Sequence, residues 1–252
     1  MSDPRSAPAP APHLLSVDIT TPEGRLRGNL AVPQRPIRLA ELAWNALPLD
    51  EQLIRMSLRQ HAPDPAAISC QKGCGACCRQ VVPLSPPEAW MLYDLVQGMP
   101  EARRARALER FAAAGEALDA AGLREVFAGP IERSEDLRAA SVAYFRMDVP
   151  CPFLEDDACS IHPHRPSVCR EYLVTSPAEH CAELGRKPVK RVPVSVRMSE
   201  ALARVAARLL GSEPVVIPMV MALDWAAAHA EEGQRRWDAR QLIGMLLEEL
   251  GR

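Results

Sequence analysis

The chemistry in this sequence is carried by sulfur. Its eight cysteines fall into two groups, Cys70, Cys74, Cys77 and Cys78, then Cys151, Cys159, Cys169 and Cys181, with a long cysteine-free stretch between them. In the first group, Cys70-Gln71-Lys72-Gly73-Cys74-Gly75-Ala76-Cys77-Cys78, the spacing lets successive thiolates turn toward one point in a compact loop. Structural zinc sites and iron–sulfur clusters require such convergence of thiolates. Gly73 and Gly75 suit the loop, because glycine reaches positive φ and lets amide N–H groups approach sulfur and stabilise thiolate charge. All eight cysteines are therefore candidate metal ligands, and the centre expected is zinc or an iron–sulfur cluster, since thiolates bind both.

The second group brings cations with it. Thiolates around zinc or iron leave net negative charge, and Arg165 and Arg170 lie in the same segment as candidate cofactor-contacting residues that offset it. His162 and His164 flank Pro163 in this segment; the chemistry permits either as a ligand, and equally permits two solvated loop histidines. Adjacent cysteines such as Cys77 and Cys78 point in different directions, so the thiolates could supply two sites, or one with spare sulfurs. The reading favoured is one region that draws ligands from both groups, because joining distant loops gives the metal a role in folding.

The ordered string of motifs resembles a known family. Cys70-x3-Cys74-x2-Cys77-Cys78, then Cys151-Pro152-Phe153-Leu154, Cys159-Ser160-Ile161 and Arg165-Pro166-x2-Cys169-Arg170-Glu171-Tyr172, is similar to the CxxCxxCC cysteine-cluster family, the YkgJ-type proteins, over about residues 68–183. The resemblance implies a zinc- or iron-chelating domain, many of whose members are labelled iron–sulfur proteins. That family typically has tyrosine where this chain has His162, so the resemblance assigns no metal role to that histidine. Flagellin lysine N-methylases carry a similar cluster, which makes an iron–sulfur-dependent oxidoreductase or a protein lysine methylase-like enzyme the alternative reading. No glycine-rich turn of the kind that holds S-adenosylmethionine is visible, so the enzyme question stays open and no catalytic residue is assigned. The Cys-x3-Cys-x2-Cys spacing also matches radical enzymes that use this cofactor, but the β/α alternation of their barrel is missing after Cys78.

The elements that must position these cysteines are mostly helical. Aromatic residues make up 4% of the chain, while alanine and leucine abound, which favours helix over sheet. The 24 prolines force frequent breaks. A disordered Pro/Ala tail is expected over 1–13, and a hairpin and helices over 14–67. Val17, Ile19, Leu26, Leu30 and Val32 alternate with polar residues around Thr21-Pro22-Glu23-Gly24 and form the hairpin. A helix through Leu39, Leu42, Ala43 and Ala46 is expected to stop at Pro48, with a second one capped by Asp50. Ser85-Pro86-Pro87-Glu88 is a capping box opening a helix with Met91, Leu92, Leu95, Val96 and Met99 on its buried stripe. A longer helix covers 101–121 with Arg103, Arg104 and Arg106 on its solvated face, and 123–147 is helical in parts. A short extended piece at Val192–Val196 precedes a helix capped by Ser199, and two more helices fall near 217–231 and 235–250 in the C-terminal region 184–252. The fold expected is mainly α, with helices packed around a loop-based metal site and a small N-terminal β-hairpin.

Function classes narrow accordingly. The opening residues Met1 to Pro12 lack the basic start, apolar run and cleavage site of a secretory signal, and no stretch reaches the length of a membrane span, so a cytoplasmic protein with free thiols is expected. A net charge of −2 gives no global attraction to polyanions. The basic run Gly185-Arg186-Lys187-Pro188-Val189-Lys190-Arg191 has no interleaved aromatics, so nucleic acid is not an expected partner. A zinc-stabilised interaction module is the remaining alternative.

Overall fold

The structure, a computed structural model, describes residues 13–128, 134–183 and 185–251. Apart from His13, the Pro/Ala tail expected over 1–13 lies outside the described residues. The fold is mainly α with a small N-terminal hairpin, as the composition implies.

β1 (His13–Thr21) and β2 (Gly24–Val32) form an antiparallel hairpin about Pro22 and Glu23, in register from His13↔Val32 to Thr21↔Gly24. Val17, Ile19 and Val32 point inward, and most of the other face is exposed. α1 (Leu39–His61) corrects the expected break at Pro48, because one helix runs straight through it. Leu39, Leu42, Ala43 and Ala46 before the proline and Leu49, Leu53 and Ile54 after it bury one continuous face. That burial outweighs the roughly 3 kcal/mol an interior proline costs a helix.

β3 (Pro83–Leu84) leads into α2 (Pro86–Gln97), and the expected capping box is present. The Ser85 N–H and Oγ both donate to Glu88 Oε2, at 2.9 and 2.6 Å. Met91, Leu92 and Val96 are buried, and the helix ends before Met99. α3 (Glu101–Ala120) follows with Arg103 and Arg106 exposed and Arg104 half-buried, and α4 (Arg124–Ala128) and α5 (Ser134–Arg146) supply the helical parts expected next.

The cysteine-rich return contains a miniature hairpin, β4 (Leu154–Glu155) and β5 (Ala158–Cys159), then α6 (Ser167–Glu171) and α7 (Glu179–Ala182). In place of an extended piece over Val192–Val196, a single bridge joins Arg191 to Val174. α8 (Met198–Leu210) begins one residue before the expected cap. Ser199 is not its cap: its N–H and Oγ donate to the Glu171 carboxylate at 3.2 and 2.7 Å, so a side chain from α6 satisfies the start of α8. β6 (Ile217–Pro218) pairs with β3, and α9 (Ala222–Ala228), α10 (Ala230–Gln234) and α11 (Ala239–Leu250) complete the chain.

One apolar core joins these parts, with α2 packed on α1, α8 and α9, and α11 against α8 and the hairpin. Glu88 fixes the cysteine segment to it. Its Oε1 accepts the Ser167 N–H at 2.8 Å, so one buried carboxylate serves the first turns of both α2 and α6. Glu88→Ala removes the cap and orphans the Ser167 amide, and a loss of about 2–4 kcal/mol in chemical denaturation is expected. Glu88→Gln retains part of it.

Candidate metal centre

The first cysteine group lies in a loop that tightens into a 3-10 turn at Ala76–Arg79. Backbone bonds wind it up, from the Cys74 N–H to the Gln71 carbonyl and from the Cys78 N–H to the Gly75 carbonyl, both at 3.0 Å. The two glycines act differently. Gly73 takes φ +92°, the left-handed region expected. Gly75 has φ −100° and corrects that expectation; its requirement is closeness. A Cβ there would come within 2.8 Å of Leu154 Cδ1 and 3.0 Å of the Asp157 carbonyl oxygen. The first loop is thus pressed against the β4–β5 hairpin that presents Cys159.

That hairpin turns on Asp156 and Asp157, both at positive φ, and pairs Leu154 with Cys159. Arg110 of α3 donates to Glu155 at 2.6 Å and ties the hairpin to the helical body. The two cysteine groups meet directly where the Cys151 N–H donates to the Cys78 carbonyl at 2.7 Å. Gln80 Nε2 donates to the Cys181 carbonyl at 3.2 Å and brings α7 alongside.

These contacts enclose a cavity of about 290 Å³. Seven cysteines line it, namely Cys70, Cys74, Cys77, Cys78, Cys151, Cys159 and Cys169. Cys181 does not line it; it is buried in α7, close enough for Cys77, Cys70 and Cys74 to act on its thiol. All eight are free thiols. Val82, Phe153, Ile161, Leu173 and Met219 form the apolar part of the wall. Among the described residues, no three Cys, His, Asp or Glu side chains converge at ion-binding geometry, so the sulfurs face a shared space and not a single point.

The cavity raises the cost of free thiolates. Burial pushes the Cys151 thiol up to about 12, lifts Cys169 well above its ordinary range, and raises Cys70, Cys159 and Cys181. Cys77 is raised by its hydrogen bond with Cys78 and then by burial. Arg165 opposes this at Cys70, Cys77, Cys159 and Cys169. It lines the cavity, and its buried Nε has no hydrogen-bond partner. With Lys72 it makes the charged lining basic, and among the described residues no carboxylate lines the space. A donor set of thiols facing an unspent guanidinium fits an anionic thiolate-bound centre.

The structure separates the two arginines that the sequence grouped together. Arg170 does not line the cavity; it donates to the Arg165 and Pro163 carbonyls, at 2.8 and 2.5 Å, and shapes the loop that presents Arg165. The histidines separate too. His162 lines the cavity, and burial followed by Arg165 and Arg170 pulls its pKa down, whereas the His164 ring packs edge-on against Trp44 at 5.3 Å. Lys72, Tyr172 and Met219 are lining residues that sequence reasoning missed; the Tyr in Cys169-Arg170-Glu171-Tyr172 was a usable signal, the Met was not.

Residues 69–183 match the family model CxxCxxCC, described as a "putative zinc- or iron-chelating domain". Over that segment the chain is similar to the CxxCxxCC family, whose description is metal chelation. No curated protein and no solved structure matches the chain. No helix among the described residues is long and apolar enough to cross a membrane.

Gly75→Ala is expected to push the first cysteine loop off the β4–β5 hairpin and lower metal content measured by elemental analysis. Gly73→Ala, with open space around its Cβ, costs only backbone strain of about 1 kcal/mol and leaves the content near wild type.

Proposed function

We propose that this protein holds one metal centre in the cysteine cavity, with thiolates drawn from both groups. The observation that carries the reading is that seven cysteines, from segments far apart in sequence, line the same space. The volume supports a polynuclear centre. A cavity of about 290 Å³ exceeds the space of one ion, since roughly 10–15 Å³ of such space already holds a water. An iron–sulfur cluster, anionic and thiolate-bound, suits the sulfurs and the basic lining together. When bound, it would supply one-electron chemistry. Cys70, Cys74, Cys77, Cys78, Cys151, Cys159 and Cys169 are the candidate ligands, Arg165 offsets their charge, and Cys181 and Arg170 support the wall. No reaction is assigned.

Elemental analysis and an optical spectrum on protein purified without oxygen test this. Iron with matching acid-labile sulfide and broad visible absorption is expected. Stoichiometric zinc in a colourless sample would replace the cluster with a structural ion and favour the interaction-module reading. Cys74→Ser and Cys169→Ser, one from each group, are each expected to lower metal content; full retention in both overturns the shared centre. Removing the metal is expected to lower the melting temperature by several degrees, since about 1 kcal/mol shifts a chain of this size by about 2–4 °C.

A further inference from the structure

The helical core holds a polar group with no evident task. Asp50 lies on the inner face of α1 with no solvent exposure. Both its carboxylate oxygens lack a hydrogen-bond partner. So does the hydroxyl of fully buried Ser167, which acts on Asp50 from the first turn of α6.

Among the described residues, no cation is paired with Asp50. Glu88 from α2 and Glu171 from α6 are themselves buried carboxylates, already committed to amides and hydroxyls at helix starts. Arg170 of α6 is the cation that acts on it, but that guanidinium donates to two loop carbonyls. Arg197, ahead of α8, acts on Glu171, and on α1 itself the exposed Glu51 is paired with Arg55. An ionised carboxylate in such surroundings loses its hydration and gains only the Ser167 hydroxyl and the field of an arginine committed elsewhere, so the group keeps its proton.

We propose that Asp50 is a proton latch: neutral in the closed protein, it lets α1 stay packed against α6 at Ser167, and on ionising it draws in water and releases α6. Since α6 carries Cys169 and follows Arg165, the latch governs one wall of the cysteine cavity; that consequence alone rests on the metal-site reading. Burial first, then the charges of Glu171 and Glu88, push Asp50 up to about 8, with Ser167 and Arg170 acting the other way. A raised acid keeps in the folded state a proton that the unfolded chain has lost. Its stabilisation is therefore whole below the ordinary carboxylate range and drains away as pH rises toward 8.

The test is hydrogen exchange on the full chain, free of metal, between pH 6 and 9, with intrinsic exchange rates divided out. In the wild type the opening constant of α6 is expected to climb about tenfold per pH unit until Asp50 is fully ionised, and Asp50→Asn to abolish the climb. A flat wild-type profile, or the same climb in Asp50→Asn, overturns the latch. Should Asp50→Asn fail to fold, carbon NMR of the wild-type Asp50 carboxyl decides. A titration midpoint above about pH 6 supports the latch, and one in the ordinary carboxylate range near 4 overturns it. Metal content is not read, so failure here leaves the metal-centre reading standing.

Discussion

Glu88 holds the arrangement together. A carboxylate taken wholly out of water must find donors, and this one finds them at two helix starts, with Ser85 on one oxygen and the Ser167 amide on the other. The pattern repeats at once, since Glu171, at the far end of the short helix so anchored, meets the amide and hydroxyl of Ser199. Two carboxylates thus chain α2 to α6 and α6 to α8. A helix of five residues has little stability of its own, and its position is borrowed from these buried bonds. Cys169 is placed in the cavity wall by that route.

The first cysteine loop is positioned by another means. It has few apolar side chains to bury, and its shape comes from backbone bonds within the loop, from the Cys151–Cys78 contact and from the close approach at Gly75. One wall of the cavity is therefore anchored by carboxylates in the core and the other by steric fit against a two-residue-turn hairpin. Arg165 faces the thiols between them, at the position where charge must be balanced once protons leave sulfur.

Much of this was legible in the chain. Period-two alternation gave the hairpin, the Ser85–Glu88 pair gave the start of α2, and the clustering of cysteines pointed to the cavity that seven of them line. What failed to show has a physical cause in each case. Pro48 looks like a terminator because local cost is visible in sequence, whereas the continuous buried face that overrides it is tertiary. The second oxygen of Glu88 and the reach of Glu171 to α8 join residues distant in sequence, and a capping motif describes only its own helix. The Asp156-Asp157 turn lacks the glycine that marks a tight hairpin, although aspartate tolerates positive φ. Arg165 and Arg170 look alike on the page, and only the direction of their side chains tells them apart.

The direct bond between Cys78 and Cys151 has a consequence for the newborn chain. Synthesis runs from the N-terminus, so Cys70 to Cys78 leave the ribosome well before any member of the second group. Until α2, α3, α4 and α5 have emerged and the chain has turned back, these sulfurs have no opposite wall and stand exposed to oxidation and stray metal. Closing that long loop is entropically costly, and local helices that fold early shorten the effective distance. The helical stretch between the two cysteine groups thus sets the interval before the first loop can meet its opposite wall, and that wall is whole only once Met219 has followed.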